Sequence, residues 1–222
     1  MDTIKICVVG THQSGSTRLY NLVRMIYEKK EKTVISRANM SNEDIQRRTG
    51  KYDVILCKVH DSELNYLNYY DIKLLPIRNI LDCAISASVR GNDDSTNFII
   101  DHCIKNINMF NKFKSNSDFI FRYENYDVNY IKKLCAILNV SLNNDEIIDI
   151  MVQLEKMLNS KNIIKKRKDN TRDPEYNKTL FSQEHNTSNG KINKFISLPK
   201  IQLNDILKEE KIYSFLVENL YF

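Results

Sequence analysis

A compact apolar run, Ile4-Lys5-Ile6-Cys7-Val8-Val9, stops at Gly10, and after Thr11-His12-Gln13-Ser14-Gly15-Ser16-Thr17 the chain resumes as Leu19-Tyr20-Asn21-Leu22-Val23-Arg24-Met25-Ile26-Tyr27. The apolar residues of that second stretch recur at helical spacing. Strand, glycine-containing turn and helix in this order bring the turn's backbone N–H groups and those of the first helical turn to one point. Such a point is a ready seat for a phosphate or a sulfate.

The spacing of Gly10, Gly15, Ser16 and Thr17 is that of a phosphate-binding loop, G-x-x-x-x-G-K-[ST], with Ser16 where the lysine belongs. A nucleoside triphosphate relies on that lysine and a metal to neutralise its terminal phosphates. A loop without it suits a less charged end group. The glycines alone fit an ordinary tight strand-to-helix turn equally well.

The rest of the chain alternates in the same way. Thr33–Ser36, Tyr52–Val59, Asp71–Ile77 and Asp118–Arg122 are strand candidates, with helices expected at Asn42–Arg48, from Asn79 through Arg90, at Thr96–Phe113 and, near the end, over Gln202–Glu218. Near-continuous apolar strands separated by helices predict an α/β three-layer sandwich, with a central, mostly parallel sheet of about five strands. Right-handed crossovers place the loops after each strand along one edge, where such folds bind ligands. At 222 residues the chain reads as one domain, with its core over 3–138 and later helices, a polar loop and a C-terminal helix over 139–222.

Two strand ends carry candidate chemistry. Side chains alternate along a strand, so Lys58 and His60 share a side at the loop-bearing edge. A histidine there can take a proton from an attacking hydroxyl, and a lysine can meet charge growing on a leaving oxygen. A solvent-exposed Lys and His at a strand end is the plainer reading. The next strand ends in Arg78, whose planar fork suits phosphate oxygens, and Asn79 reads as the cap of a helix with Asp82 reaching back to it. Ser86, further along that helix, offers either a ligand hydroxyl or a small packing residue.

Together these pieces resemble the sulfotransferases that use 3′-phosphoadenosine 5′-phosphosulfate. The family's Ser-Gly-[Ser/Thr]-Thr loop is matched by Ser14-Gly15-Ser16-Thr17, its Lys-Thr-His strand end by Lys58-Val59-His60, and its R-[DN]-x-x-D-x-x-x-S motif by Arg78 through Ser86. A Tyr-Glu-[Asp/Asn] signature is matched by Tyr123-Glu124-Asn125. A shortened late loop is matched by His185 through Lys191, where Ser188, Asn189, Gly190 and Lys191 stand for the segment that closes over the 3′-phosphate. Two positions depart from the pattern: Gln13 occupies a basic position, and Arg18 the place of an adenine-stacking tryptophan, where a flat guanidinium could stack on a base.

The resemblance implies a P-loop-like fold and in-line sulfuryl transfer to an acceptor hydroxyl or amine, with His60 as base. Lys58 and the Ser14–Thr17 loop would hold the sulfuryl and bridging oxygens. Arg78 and Ser86 would hold the 3′-phosphate, Tyr123 would lie on the adenine side, and no metal is required. The acceptor stays open between a carbohydrate, a phenol and a peptide tyrosine. A phosphate-loop kinase, with Asp61 as its magnesium ligand, and a non-catalytic nucleotide-binding or interaction module are the rival readings.

Composition narrows the field. The net charge of +5 is modest, and Lys165-Lys166-Arg167-Lys168 reads as a solvated loop, so no nucleic-acid partner is expected. No apolar stretch approaches a membrane span, and Met1 leads straight into a strand with no charged-then-apolar leader, so a cytoplasmic location is expected. Cys7, Cys57, Cys83, Cys103 and Cys135 are scattered inside apolar runs and read as reduced core residues. The histidines show no metal-ligand spacing.

Overall fold

The computed structural model describes residues 2–60, 64–159, 178–180 and 192–221. Five strands, β1 (Ile4–Val9), β2 (Val34–Ala38), β3 (Val54–Val59), β4 (Ile72–Ile77) and β5 (Phe119–Arg122), form one sheet in the order β2-β3-β1-β4-β5. Every pairing in it is parallel. The connecting helices are α1 (Ser16–Glu28), α2 (Asn42–Arg48), α3 (Ile80–Gly91), α4 (Thr96–Lys114), α5 (Val128–Ile137) and α6 (Asn144–Asn159). After them come α7 (Lys200–Leu207) and α8 (Glu210–Glu218).

Strand alternation divides the interior into two cores. Ile6, Val8, Val54, Leu56, Leu74 and Phe121 face one side, where they pack with α1, α5 and α6. Cys7, Val9, Ile55, Cys57, Val59, Leu75 and Ile77 face the other, against α3, α4 and the two last helices. Both faces of the sheet are therefore covered, which is why its strands read as unbroken apolar runs. Pro76 is tolerated in β4 because the pairing with β1 reaches only to Leu74, so its missing donor leaves no gap in that ladder.

Topology positions the site. The chain winds outward from β1 to β2, returns to β3 beside β1, then crosses to β4 on the other side of β1. Helix α1 leaves β1 toward one face and α3 leaves β4 toward the other. The crevice between their starts is a topological switch point at the carboxyl edge.

Two sequence expectations need correction. The single C-terminal helix over Gln202–Glu218 is two helices, broken at Lys208–Glu209, where Glu209 adopts an extended conformation. The core demands the break: Ile206 and Ile212 are both fully buried, yet six residues of continuous helix would turn them about 120° apart. Asp82, expected to reach back to Asn79, accepts instead from the backbone N–H groups of Asn193, Lys194 and Phe195. Glu124 receives the Asn79 N–H in its place, at 2.8 Å, while Asn79 Oδ1 accepts from the Leu81 N–H. All five cysteines are free and buried, as expected.

Candidate functional site

The loop between β1 and α1 is held in a shape only glycine permits at two points. Gly15 has φ +85°, and a Cβ there would lie 2.3 Å from the Tyr123 ring. A Cβ on Gly10 would lie 2.4 Å from the Ser16 Cβ. The loop closes on itself through Ser14 Oγ, which donates to the Thr11 carbonyl, and is braced by Cys83 Sγ on the Gln13 carbonyl and Asn106 Nδ2 on the His12 carbonyl. Helix α1 then starts with no side-chain cap and no acid in its first turn. Its leading N–H groups and the positive end of the helix dipole are therefore available to an anion.

Strand β3 delivers two side chains to this loop. Lys58 is buried and its Nζ donates to Thr17 Oγ1 at 2.6 Å. Burial, with the charge of Arg90 adding to it, pushes its ammonium down to about 8. His60 Nδ1 lies 2.5 Å from the Gly10 carbonyl, and a carbonyl only accepts, so Nδ1 carries a proton. The His12 ring stacks on it, with centroids 4.9 Å apart. No motif spacing marks His12. Only its place inside the loop could have singled it out.

A second cluster gathers at the start of α3. Arg78 and Asp82 are both buried, with Nη2 3.7 Å from Oδ2. Ser86 Oγ donates to the Asp82 carbonyl at 2.6 Å and accepts from Lys194 Nζ at 2.8 Å. Burial, followed by repulsion from Arg78, pushes Lys194 down to about 8, against the pull of Asp82. Sequence reasoning missed Lys194, which lies outside the late loop assigned to the 3′-phosphate. Nothing in the sequence pointed to it, because the position of Asp82 suggests a local cap with Asn79 instead. Ser188, Asn189, Gly190 and Lys191 lie outside the described residues, as does Asp61.

Tyr123 joins the clusters. Its ring lies against Gly15 on one side, and the Arg78 guanidinium sits 4.8 Å from its centroid. Loop, strand end and helix start thus share one rim. Arg18 lies over Tyr126 at 4.3 Å and Tyr123 at 5.0 Å, and its guanidinium pairs with Glu155. Gln13 takes a left-handed conformation, φ 64°, within the loop. Beside His60 opens a cavity of about 750 Å³, walled by the β2–α2 connection and the turn Leu64–Tyr69.

Chemically the rim gathers cationic side chains and backbone donors at two foci, an arrangement that can hold anions. Lys58, Arg78 and Lys194 supply positive charge, and burial works against the charged form of both lysines. A bound polyanion relieves that penalty. Among the described residues no cluster of three or more acidic, histidine or cysteine side chains is arranged to hold a metal. No described helix is long and apolar enough to cross a membrane.

No protein-family model and no curated protein matches the sequence. Solved structures do. The structure of mouse sulfotransferase SULT7A1 complexed with PAP aligns with a TM-score of 0.67 at 12% identity, over 95% of this chain and 83% of that one. Retinol dehydratase in complex with androsterone and inactive cofactor PAP aligns with a TM-score of 0.60 at 16% identity, over 96% of this chain and 80% of that one. The same enzyme with retinol and PAP gives 0.58 at 16%, over 97% and 82%. The fold is that of these sulfotransferase structures.

Proposed function

We propose that the protein is a sulfotransferase that moves a sulfuryl group from 3′-phosphoadenosine 5′-phosphosulfate to a hydroxyl or amine of an acceptor. One observation carries the reading: Tyr123 contacts both the loop glycine and Arg78, so an uncapped helix start and a lysine-arginine-serine cluster can grip two anionic ends of one nucleotide. The fold shared with PAP-bound sulfotransferases supports it.

The donor supplies the sulfuryl group, whose bond to the bridging phosphate oxygen breaks in line as the acceptor oxygen bonds to sulfur. His60 Nε2 takes the acceptor's proton, with Nδ1 anchored on Gly10 so that the ring keeps its tautomer and aim. Lys58, held at Thr17, meets charge growing on the bridging oxygen and compensates for the neutral Gln13. The N–H groups of Ser14–Thr17 hold the sulfuryl oxygens. Arg78, Ser86 and Lys194 hold the 3′-phosphate, with Asp82 fixing the backbone that carries Lys194. Ser188–Lys191 would approach the same phosphate. Arg18, whose guanidinium lies over Tyr126 and Tyr123, would offer the adenine whatever part of its plane those rings leave open.

Calorimetry with adenosine 3′,5′-bisphosphate beside ATP and magnesium tests the nucleotide assignment. The bisphosphate should bind at least about 100-fold more tightly, and Arg78→Ala should remove most of that preference, as loss of a charge-assisted contact does. The opposite order of affinities refutes the reading in favour of a kinase. Indifference to both nucleotides favours a non-catalytic module. His60→Ala should abolish transfer while leaving bisphosphate affinity within about twofold, and undiminished turnover removes His60 as base.

A further inference from the structure

The cavity beside His60 has a chemistry of its own. The turn Leu64–Tyr69 is a 3₁₀ helix, in which residues three apart eclipse. Asn65 and Asn68 therefore share one face and Tyr66 and Tyr69 another, while Leu67 and Tyr70 are buried as anchors. Across the cavity, Asn39 and Asn42 bring the amides in its wall to four. The connection that carries them is pinned: the Asn39 N–H donates to the Lys58 carbonyl, and the Met40 carbonyl accepts from the Tyr66 hydroxyl.

Two features define the ligand class. Among the described residues no Lys, Arg, Asp or Glu lines the cavity, so that part of the wall offers neither a counter-charge to an anionic glycan nor a complement to a charged peptide. Besides His60, its polar groups are neutral: four amides, each offering both donors and acceptors, two phenols and the Ser41 hydroxyl. An apolar or phenolic ligand would leave such groups unpaired. A ligand dense in hydroxyls would satisfy them, with the exposed Tyr69 ring as a platform for an apolar sugar face.

We infer that this cavity binds a neutral carbohydrate and presents one of its hydroxyls to His60, so that the acceptor is an uncharged glycan. The inference rests on the reading of His60 as the site of transfer, but its core, saccharide binding in the cavity, is measurable without turnover. The purified protein is applied to an array of neutral and acidic glycans, with 4-nitrophenol and an N-acetylated tyrosine peptide assayed by saturation-transfer NMR, and with bisphosphate affinity measured in parallel.

Neutral glycans should bind in preference to acidic ones, to 4-nitrophenol and to the peptide. Asn68→Leu and Asn65→Leu, both at exposed positions, should each weaken glycan binding about tenfold while bisphosphate affinity stays unchanged. If the bisphosphate binds but neutral glycans do not, or if the phenol, the peptide or acidic glycans are preferred, the cavity assignment falls and the sulfotransferase reading stands. Glycan binding that ignores both asparagine variants also overturns it. If neutral glycans bind with the expected variant effects but the bisphosphate does not, the cavity assignment holds and the sulfotransferase reading fails.

Discussion

The β1–α1 loop and the Asp82 cluster both look suited to hold a phosphate or sulfate group, yet they are built by opposite means. The loop is contiguous in sequence, and its donors are backbone N–H groups shaped by Gly10 and Gly15. The cluster joins α3 to a segment more than a hundred residues later, and its donors are side chains that one buried carboxylate gathers. A backbone cradle is fixed by chain geometry and fails only when that geometry is blocked. A side-chain cluster is adjustable, and can lose a member and still fold.

The sharpest way to break the contrast is therefore steric. Gly15→Ala places a methyl within 2.3 Å of the Tyr123 ring on a residue at φ +85°. Strain and overpacking together should cost about 2–4 kcal/mol of stability in urea unfolding. Bisphosphate affinity should fall at least about 100-fold in whatever folds. If Gly15→Ala keeps wild-type stability and affinity, the loop is not the rigid cradle described.

The cluster should respond differently. Lys194→Met keeps the aliphatic stem and removes the charge, so the half-buried ammonium no longer has to be desolvated. Stability should stay within about 0.5 kcal/mol of wild type or rise, whereas bisphosphate affinity should drop about 10- to 50-fold. Adenosine 5′-phosphosulfate, which lacks the 3′-phosphate, makes the comparison sharper: its affinity should be unaffected by Lys194→Met and lost in Gly15→Ala. An equal loss for both nucleotides would assign Lys194 to the wrong phosphate.

What could be read in advance follows the same division. Strands, sheet and the strand-turn-helix geometry of the loop were legible because each depends on neighbours in sequence: apolar runs make buried strands, and a glycine pair between a strand and a helix makes a tight turn. Alternation along β3 put Lys58 and His60 on one side of the loop-bearing edge, but the plainer reading of that pattern left both in solvent, whereas Lys58 is buried against Thr17. Lys194 was not legible, because its place is set by hydrogen bonds from its own segment to Asp82, 112 residues away. Asp82 shows how the local rule misleads. Its position predicts a reciprocal cap with Asn79, but Glu124, arriving from the end of β5, takes that N–H and leaves the carboxylate to the late segment. The break between α7 and α8 was hidden for a similar reason, since only the shared core of Ile206 and Ile212 forces it.

The smallest effect concerns protons, and it tests both foci at once. Burial pushes Lys58 and Lys194 each to about 8, well below the usual 10.5, so near pH 8 a good fraction of each is neutral. A bound anion favours the charged form, so bisphosphate binding must draw protons from solution, and affinity must fall as pH rises from 7 to 9. The sign for folding is opposite. Between about pH 8 and 10.5 the unfolded lysines hold protons that the folded ones have released, so the protein without nucleotide gains stability as pH rises through that window. Calorimetry at pH 8 in buffers of different ionisation enthalpy should register net proton uptake on binding, and Lys194→Met should reduce that uptake without abolishing it, Lys58 supplying the remainder. Affinity that is level from pH 7 to 9, or proton release on binding, would mean that neither lysine takes up a proton when the nucleotide binds, and the shared electrostatic basis of the two foci would fail.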